Sequence, residues 1–281
     1  MANAPRDPGF DGLVGAIDLE VGASRPASPA GRLGAPILVA AGAAALLGTW
    51  VALSVLLGGR VLPDPIATAR LLWSDVRSGA LPSNLAVTMA RVGAATVLSL
   101  AVGVAVGIGT GLSPRADMFL APWVVTGLTV PRLVIIVVAY LLVGFNEVAA
   151  VTATALTVIP GVSVAMREGV RAIDWGLVDM ARAFSVPASG RWRQVMWPQL
   201  MPYAAGSARN ALSLSLKMIV FAELMGRSSG VGYQIAFYFQ MFNMGQILAY
   251  GAAMVLVGAA LELMMRGLER RAYRWRPGVG A

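Results

Sequence analysis

The sequence predicts an all-α, polytopic membrane protein with six transmembrane helices, and its composition is the first evidence for this. Only 13% of its 281 residues are charged, against about 25% in soluble domains. Hydrophobic residues make up 57% of the chain, and the mean hydropathy is +0.71. These values exclude a disordered chain, a DNA-binding domain and an ordinary cytosolic enzyme.

Six apolar stretches are long enough to cross a membrane, which takes about 20 residues of helix. Pro122 and Pro131 interrupt the third stretch, which predicts either one kinked helix or two shorter segments. The six stretches are residues 36–58, 92–112, 118–144, 148–166, 204–225 and 247–265.

The two ends of the chain differ from this apolar middle. Residues 1–34 are rich in proline, glycine and serine without a helical period, which predicts a flexible cytoplasmic tail. Residues 35–267 form the predicted transmembrane domain, and residues 268–281 form a basic cytoplasmic tail. We expect no cleaved signal peptide, because too long a segment precedes the first apolar stretch.

The distribution of positive charge predicts which ends face the cytoplasm. If the N-terminus is cytoplasmic and six spans follow, fifteen arginines fall on the cytoplasmic side and five on the outside. Cytoplasmic loops of membrane proteins usually carry such an excess. The sequence therefore predicts that both termini are cytoplasmic.

The residue types that are absent limit the chemistry. The chain has no cysteine and no histidine, which rules out disulfides, the usual zinc ligands and a Ser-His or Cys-His nucleophile. It also lacks a Gly-x-x-x-x-Gly-Lys-Ser/Thr phosphate loop. We therefore expect no catalytic residue, no metal site and no bound cofactor in this chain, and ATP with its magnesium would be bound by a separate subunit.

A long polar segment, residues 167–203, is predicted to lie on the cytoplasmic side as two short helices joined by a turn at 186–190. Phe184, Trp192 and Trp197 give this segment an apolar side. Exposed apolar surface indicates a docking surface for another protein. The alternative is a loop that folds back onto the membrane with its tryptophans at the interface.

This segment resembles the coupling loop of ABC-importer permeases, whose signature is Glu-Ala-Ala, three residues, Gly, nine residues, Ile, one residue and Leu-Pro. The spacing is intact, although only Ala181 and Pro198 keep the usual residue and Ser185 replaces the glycine. The resemblance implies that the loop couples the chain to a cytoplasmic ATPase dimer. The matching positions are Asp179, Met180, Ala181, Ser185, Val195, Trp197 and Pro198.

Three further segments are similar to the nitrate, sulfonate and taurine branch of these permeases. They are residues 222–233, the region around Pro131 and the basic segment 268–271. The resemblance covers about residues 84–275. It implies a multi-pass protein of the bacterial inner membrane that pairs with a second permease copy, as a homodimer, and works with an extracytoplasmic solute-binding protein.

Charged residues inside the predicted spans are candidates for the solute pathway. A charge at the bilayer centre costs about 2.5–3.5 kcal/mol on insertion scales, so such residues usually face a cavity or a partner. Arg132 and Lys217, with Glu223 near a span end, are the candidates here. Two cations without a mid-span anion predict an anionic solute. The alternative is structural: Lys217 could pair with Glu223, and Arg132 could satisfy carbonyls freed by Pro131.

Glycines recur at every fourth position of the second stretch, at Gly103, Gly107 and Gly111. Small residues at this spacing let another helix approach closely. They predict a helix-packing face, most simply within the same chain.

These observations predict the permease subunit of an ATP-driven ABC importer for a small organic or inorganic anion. A permease for a neutral heterocyclic or vitamin-precursor solute is one alternative. A second is an ion-coupled secondary transporter, which would need intramembrane acids, and only Glu147 and Glu223 come close. A third is an intramembrane hydrolase, whose chemistry would have to rest on a serine with Lys217.

Overall fold

The computed structural model describes the backbone of residues 29–59 and 61–272 and the side chains of residues 37–59 and 61–269. This part of the chain consists of helices joined by short turns and contains no strand. A π-helical turn, Trp192–Met196, precedes α9. The helices are α1 (Pro29–Leu57), α2 (Pro65–Arg77), α3 (Ala80–Leu112), α4 (Pro114–Thr129), α5 (Arg132–Val143), α6 (Glu147–Arg171), α7 (Trp175–Ala183), α8 (Ala188–Arg191), α9 (Trp197–Gly226), α10 (Val231–Gln240) and α11 (Met244–Ala272).

Four helices of the described residues are long and apolar enough to cross a membrane. They are Ile37–Leu57, Ala80–Leu112, Glu147–Arg171 and Met244–Glu269. The pair α4 and α5 counts as a fifth span if its two helices, bent by 101° at the break between them, cross the membrane together. The chain is therefore an all-helical membrane protein, and the count of six spans stays a prediction.

The third apolar stretch consists of two segments. The backbone is extended at Val130 and Pro131, and this break separates α4 from α5. Pro122, the other candidate, lies inside α4 without ending it. Of the two alternatives that the prolines allowed, the structure has the two shorter segments.

The predicted fifth span lies within α9, which is 30 residues long. It is not among the four helices that are long and apolar enough to cross a membrane. Arg209, Lys217 and Glu223 interrupt its apolar sequence. Its role as a span therefore depends on what those three side chains contact.

The predicted tails lie mostly outside the described residues. Residues 1–28 and 273–281 are not described, while residues 29–34 already belong to α1 and α11 continues to Ala272. Helix α1 forms a compact unit of its own, and the other helices form a second unit.

Side-chain caps define several helix starts. Each capping oxygen accepts a hydrogen bond from a backbone N–H in the first turn, where the helix itself supplies no acceptor. Proline follows the cap of α2 and of α4, where its fixed φ suits a first helical position. The capping residues of α2, α4, α6 and α7 are Asp64, Ser113, Asn146 and Asp174.

The packing of α3 against α6 depends on the predicted glycine face. A Cβ atom on Gly103 would lie 2.7 Å from the Val162 side chain. One on Gly107 would lie 2.5 Å from the Ser163 carbonyl oxygen, and Gly111 is equally crowded by α6. The three glycines therefore lie where the two helix backbones approach most closely, within one chain.

Candidate functional site

Helix α7, the first half of the predicted coupling loop, is attached to the membrane helices through one buried face. Val178 and Ala181 are buried, and Val178 belongs to a cluster with Val170 of α6 and Leu200 of α9. Because these contacts join the short helix to two long ones, a force on α7 would be transmitted to α6 and α9.

The opposite face of α7 is exposed. Met180 is exposed, and Phe184, which directly follows the helix, has 78% of its surface accessible. The Asp179 carboxylate accepts a hydrogen bond of 3.1 Å from the exposed Arg182. An exposed ion pair of this kind contributes little to stability. This face therefore combines exposed apolar side chains with an exposed, weakly held ion pair.

Ser185 ends α7 in the left-handed region, with φ at +58°. The Val186 N–H donates to the Ala181 carbonyl at 3.0 Å, and the Ser185 N–H donates to the Arg182 carbonyl at 2.9 Å. This pair of bonds defines a Schellman cap, whose left-handed position is usually glycine. A glycine, as in the family signature, would fit this backbone without a Cβ penalty, and here serine adopts the left-handed conformation.

We expect Ser185→Gly to stabilise this loop by about 1 kcal/mol, because glycine has no Cβ penalty in the left-handed region. Ser185→Val should destabilise it, because a β-branched side chain fits that region poorly. Hydrogen exchange of residues 175–186 in the purified subunit measures both effects. Equal exchange in all three proteins would contradict this account of the cap.

The second half of the signature forms the start of α9. Trp197 is the first residue of the helix and Pro198 the second, where the missing N–H costs nothing. Val195 lies in the π-helical turn and packs against the same buried cluster as α7, together with Trp192. One side of the loop therefore packs against α6 and α9, and Met180 and Phe184 are its most exposed apolar side chains.

Lys217 lies on the wall of a cavity of about 650 Å³ between α9 and α11. Its side chain is exposed, and no described residue forms an ion pair with it. Apolar side chains such as Leu216 and Met254 form most of the wall. Arg209 and Glu262 also line the cavity, but they pair with each other. Lys217 is therefore the cation that this cavity offers to a ligand.

Arg132 is the first residue of α5, directly after the break at Pro131. Its side chain is exposed, and none of the described acids is within salt-bridge distance of it. The cavity beside Lys217 does not include it. The structure therefore does not bring the two predicted cations into one site within a single chain.

Glu223 lies elsewhere, in a buried polar cluster near the end of α9. The residue is only 1% exposed. Its carboxylate accepts hydrogen bonds from Arg91 Nη1 at 2.6 Å, from the Thr88 hydroxyl at 2.9 Å and from the Gly232 N–H at 2.9 Å. These contacts occupy both carboxylate oxygens and favour a structural role for Glu223.

Arg91 is the centre of this cluster and is 4% exposed. All five of its N–H groups donate a hydrogen bond. Nε and Nη2 form a paired contact with Glu147, each at 2.7 Å, and the other donors reach Glu223 and both the carbonyl and the hydroxyl of Ser229. Such a two-pronged contact matches the planar guanidinium to a carboxylate. Glu147 also pairs with Arg227.

The loop after α9 closes over the carboxylate of Glu223. Gly230 has a φ of +105°, and a Cβ atom there would collide with the Glu223 side chain. A Cβ atom on Gly232 would collide with the Val220 carbonyl oxygen. Only glycine fits at both positions, which accounts for the Gly-Val-Gly sequence at 230–232.

The sequence alone did not identify this cluster. From the sequence, Arg91 is only one of the five arginines predicted to lie on the outer side of the membrane. Its partners Glu147 and Glu223 are 56 and 132 residues away in the sequence, so no local pattern connects them. One signal was available: in the predicted topology the start of the second span and the end of the fifth lie on the same side of the membrane. The predicted topology therefore places Arg91, Glu223 and Arg227 at the same depth in the membrane, but it does not predict that Arg91 and Glu223 touch.

Comparison with known proteins finds one family and several transport permeases that are similar to this chain. Residues 99–274 match the family described as binding-protein-dependent transport system inner membrane component. The putative aliphatic sulfonates transport permease protein SsuC of Bacillus subtilis is 30% identical over 77% of this chain and 78% of its own length. The taurine transport system permease protein TauC of Escherichia coli is 25% identical over 84% of this chain and 88% of its own.

A solved structure shares the fold. The crystal structure of an amino acid ABC transporter with histidines aligns with a TM-score of 0.60 over 71% of this chain and 98% of that one, at 18% identity. The family match and the sulfonate and taurine relatives confirm the predicted resemblance to the nitrate, sulfonate and taurine branch. The chain belongs to the binding-protein-dependent transport family of inner-membrane components, the permease subunits of ABC importers.

Proposed function

We propose that this chain forms, with a second copy of itself, the translocation pathway of an ATP-driven importer for a small anion of the sulfonate, taurine or nitrate type. The observation that carries the choice of an anion is Lys217, an exposed cation without a carboxylate partner among the described residues, on the wall of a 650 Å³ cavity. The names of the relatives, which specify aliphatic sulfonates and taurine, support the same class.

The proposed topology has six spans with both termini in the cytoplasm. The arginine distribution supports this orientation. It places the coupling loop on the cytoplasmic side and the Arg91 cluster on the other. Helix α9 then serves as the fifth span, with Glu223 neutralised by Arg91 and Lys217 facing the pathway.

The proposed partners are a cytoplasmic ATPase dimer and an extracytoplasmic solute-binding protein. The segment Asp179–Pro198 would meet the ATPase through Met180 and Phe184. Support comes from geometry: these side chains are exposed, while Val178 and Ala181 on the other face are buried against the membrane helices. Motion of the ATPase would therefore move α6 and α9 without unfolding the loop.

Anion uptake by the complete transporter tests the choice of solute. Vesicles that contain this subunit, its ATPase and its binding protein would be offered taurine, an alkyl sulfonate, nitrate and a neutral heterocycle. We expect Lys217→Met to reduce anion uptake about tenfold, as for the loss of one charge-assisted contact. Lys217→Arg, which keeps the charge, is the matched control, and Arg132→Met tests the second cation separately.

Three results would overturn parts of this proposal. Normal anion uptake by Lys217→Met with an assembled complex would show that the ammonium does not act on the solute. Uptake of the neutral compound alone would favour the neutral-solute permease. Uptake that persists after ATP depletion would favour an ion-coupled transporter.

The coupling loop gives a separate prediction. We expect Phe184→Ala combined with Met180→Ala to weaken binding of the ATPase at least about tenfold, because they are the most exposed of the apolar side chains on and directly after α7. Co-purification and solute-stimulated ATP hydrolysis measure the loss. Phe119→Ala on α4, which removes an equally exposed phenylalanine, is the control. Undiminished ATPase binding by the double variant would contradict the proposed contact.

A further inference from the structure

A phenylalanine holds a backbone conformation that glycine would adopt more easily. Phe242 ends α10 with φ at +53°. The Asn243 N–H donates to the Tyr238 carbonyl at 2.9 Å and the Phe242 N–H donates to the Phe239 carbonyl at 3.1 Å. This is a second Schellman cap, and a bulky residue in its left-handed position is unusual.

Packing of the Phe242 side chain does not offset the strain of its backbone. It is 93% exposed, so it buries almost no surface against the rest of the molecule. A residue that strains the backbone without packing internally indicates a contact outside the chain. Phe239 and Met241, on the same turn, are also exposed.

Helix α2 adds a second exposed apolar surface at the same end of α11. Gly245, in the first turn of α11, approaches the Leu71 side chain of α2 so closely that a Cβ atom there would lie 2.8 Å from it. Ile66 and Trp73, seven residues apart on α2, point away from this contact and are exposed. We call Ile66, Trp73, Phe239, Met241 and Phe242 the apolar rim.

Positive charge borders the apolar rim. Arg70 and Arg77 are also seven residues apart, so they follow Ile66 and Trp73 along the helix. The Arg77 guanidinium lies 5.1 Å from the centre of the Trp73 ring. Within the described residues neither arginine has a salt-bridge partner. Asp75, the acid of α2, hydrogen-bonds Gln246 of α11, and burial raises the pKa of its carboxyl.

We propose that the apolar rim is a membrane-interface anchor, in which the five apolar side chains enter the acyl region and Arg70 and Arg77 bind lipid phosphates. The rim adjoins the first residues of the apolar helix Met244–Glu269, and the end of a spanning helix is where the hydrocarbon meets the head groups. Tryptophan and arginine are characteristic of that level.

Charge favours lipid over a second copy of the chain. A two-fold contact through this surface would place arginines of one copy near those of the other. The exposed acid at the start of α2, Asp64, is already engaged as the helix cap, where it accepts from the Ala67 N–H. Lipid phosphates supply the missing negative charge. The rim would then fix the height of α2, and with it the loop that leads into α3.

The absence of cysteine makes the test direct. Trp73→Cys and Phe242→Cys, each labelled with bimane in the full transporter in vesicles, would be exposed to brominated lipids and to aqueous iodide. Ser228→Cys, in the exposed loop after α9, is the control for water access. We expect brominated lipid to quench labels 73 and 242 and iodide to quench label 228.

Two outcomes would overturn the proposal. If iodide quenched labels 73 and 242 as strongly as it quenches label 228, the rim would lie in water. Protection from both quenchers, with cross-linking between two copies at position 242, would make the rim a protein interface. Phe242→Gly, which keeps the backbone without strain, gives an independent check: label 73 should move away from the acyl region.

Discussion

Arg91→Met is expected to lower the stability of the folded subunit by about 3–5 kcal/mol, the usual effect of removing one partner from a buried ion pair. The change leaves the Glu223 carboxylate with 1% exposure and without its cation. It also removes the paired contact to Glu147. Thermal denaturation in detergent measures the loss.

Arg182→Met is the matched control for this prediction. Arg182 pairs with Asp179, but both side chains are about two-thirds exposed, and exposed pairs contribute about 0–1 kcal/mol. In an Arg91→Met background, Glu223→Gln should cost much less than it does alone, because the partner is already missing. Equal stability of Arg91→Met and Arg182→Met would refute the structural role of the cluster.

Gly107→Val is expected to destabilise the subunit by about 3 kcal/mol, at the upper end of the usual range for overpacking. The new Cβ would lie 2.5 Å from the Ser163 carbonyl oxygen and 2.6 Å from the Met166 Cβ. The first of these is a backbone atom, so no rotation of a side chain relieves the clash. Helices α3 and α6 would have to separate.

Gly109→Val provides the comparison within the same helix. A Cβ atom on Gly109 meets nothing within 4 Å, so the same substitution should leave the melting temperature nearly unchanged. The difference between the two variants isolates the helix contact from helix propensity. A similar loss in both would mean that the close approach of α3 and α6 does not matter for stability.

Local sequence signals predicted the features that depend on local sequence. Proline positions predicted the interruption of the third stretch, although not which proline would break the helix. The four-residue spacing of Gly103, Gly107 and Gly111 predicted a packing face, and α6 is the partner. The turn residues at 186–190 predicted a turn after α7, and the resemblance aligned Ser185 with the family's glycine. Ser185 has a left-handed φ of +58°.

Features that depend on distant residues were not predictable in the same way. The alternative that pairs Lys217 with Glu223 is not what the structure shows, because Glu223 binds Arg91 from another helix. The two cations Arg132 and Lys217 looked equivalent by hydropathy, yet only Lys217 lines the cavity beside α11. Periodicity gives the face of each helix, but it does not say which helix will be its neighbour.

The buried cluster around Arg91 also sets an order for biosynthesis. Arg91 leaves the ribosome 56 residues before Glu147 and 132 residues before Glu223. At 5–20 residues per second the last partner follows after roughly 7–26 seconds. During that interval Glu147, which remains half exposed in the finished protein, is the acid that can neutralise Arg91. The final arrangement therefore forms only after α9 has been made, and its completion marks the joining of α3, α6 and α9.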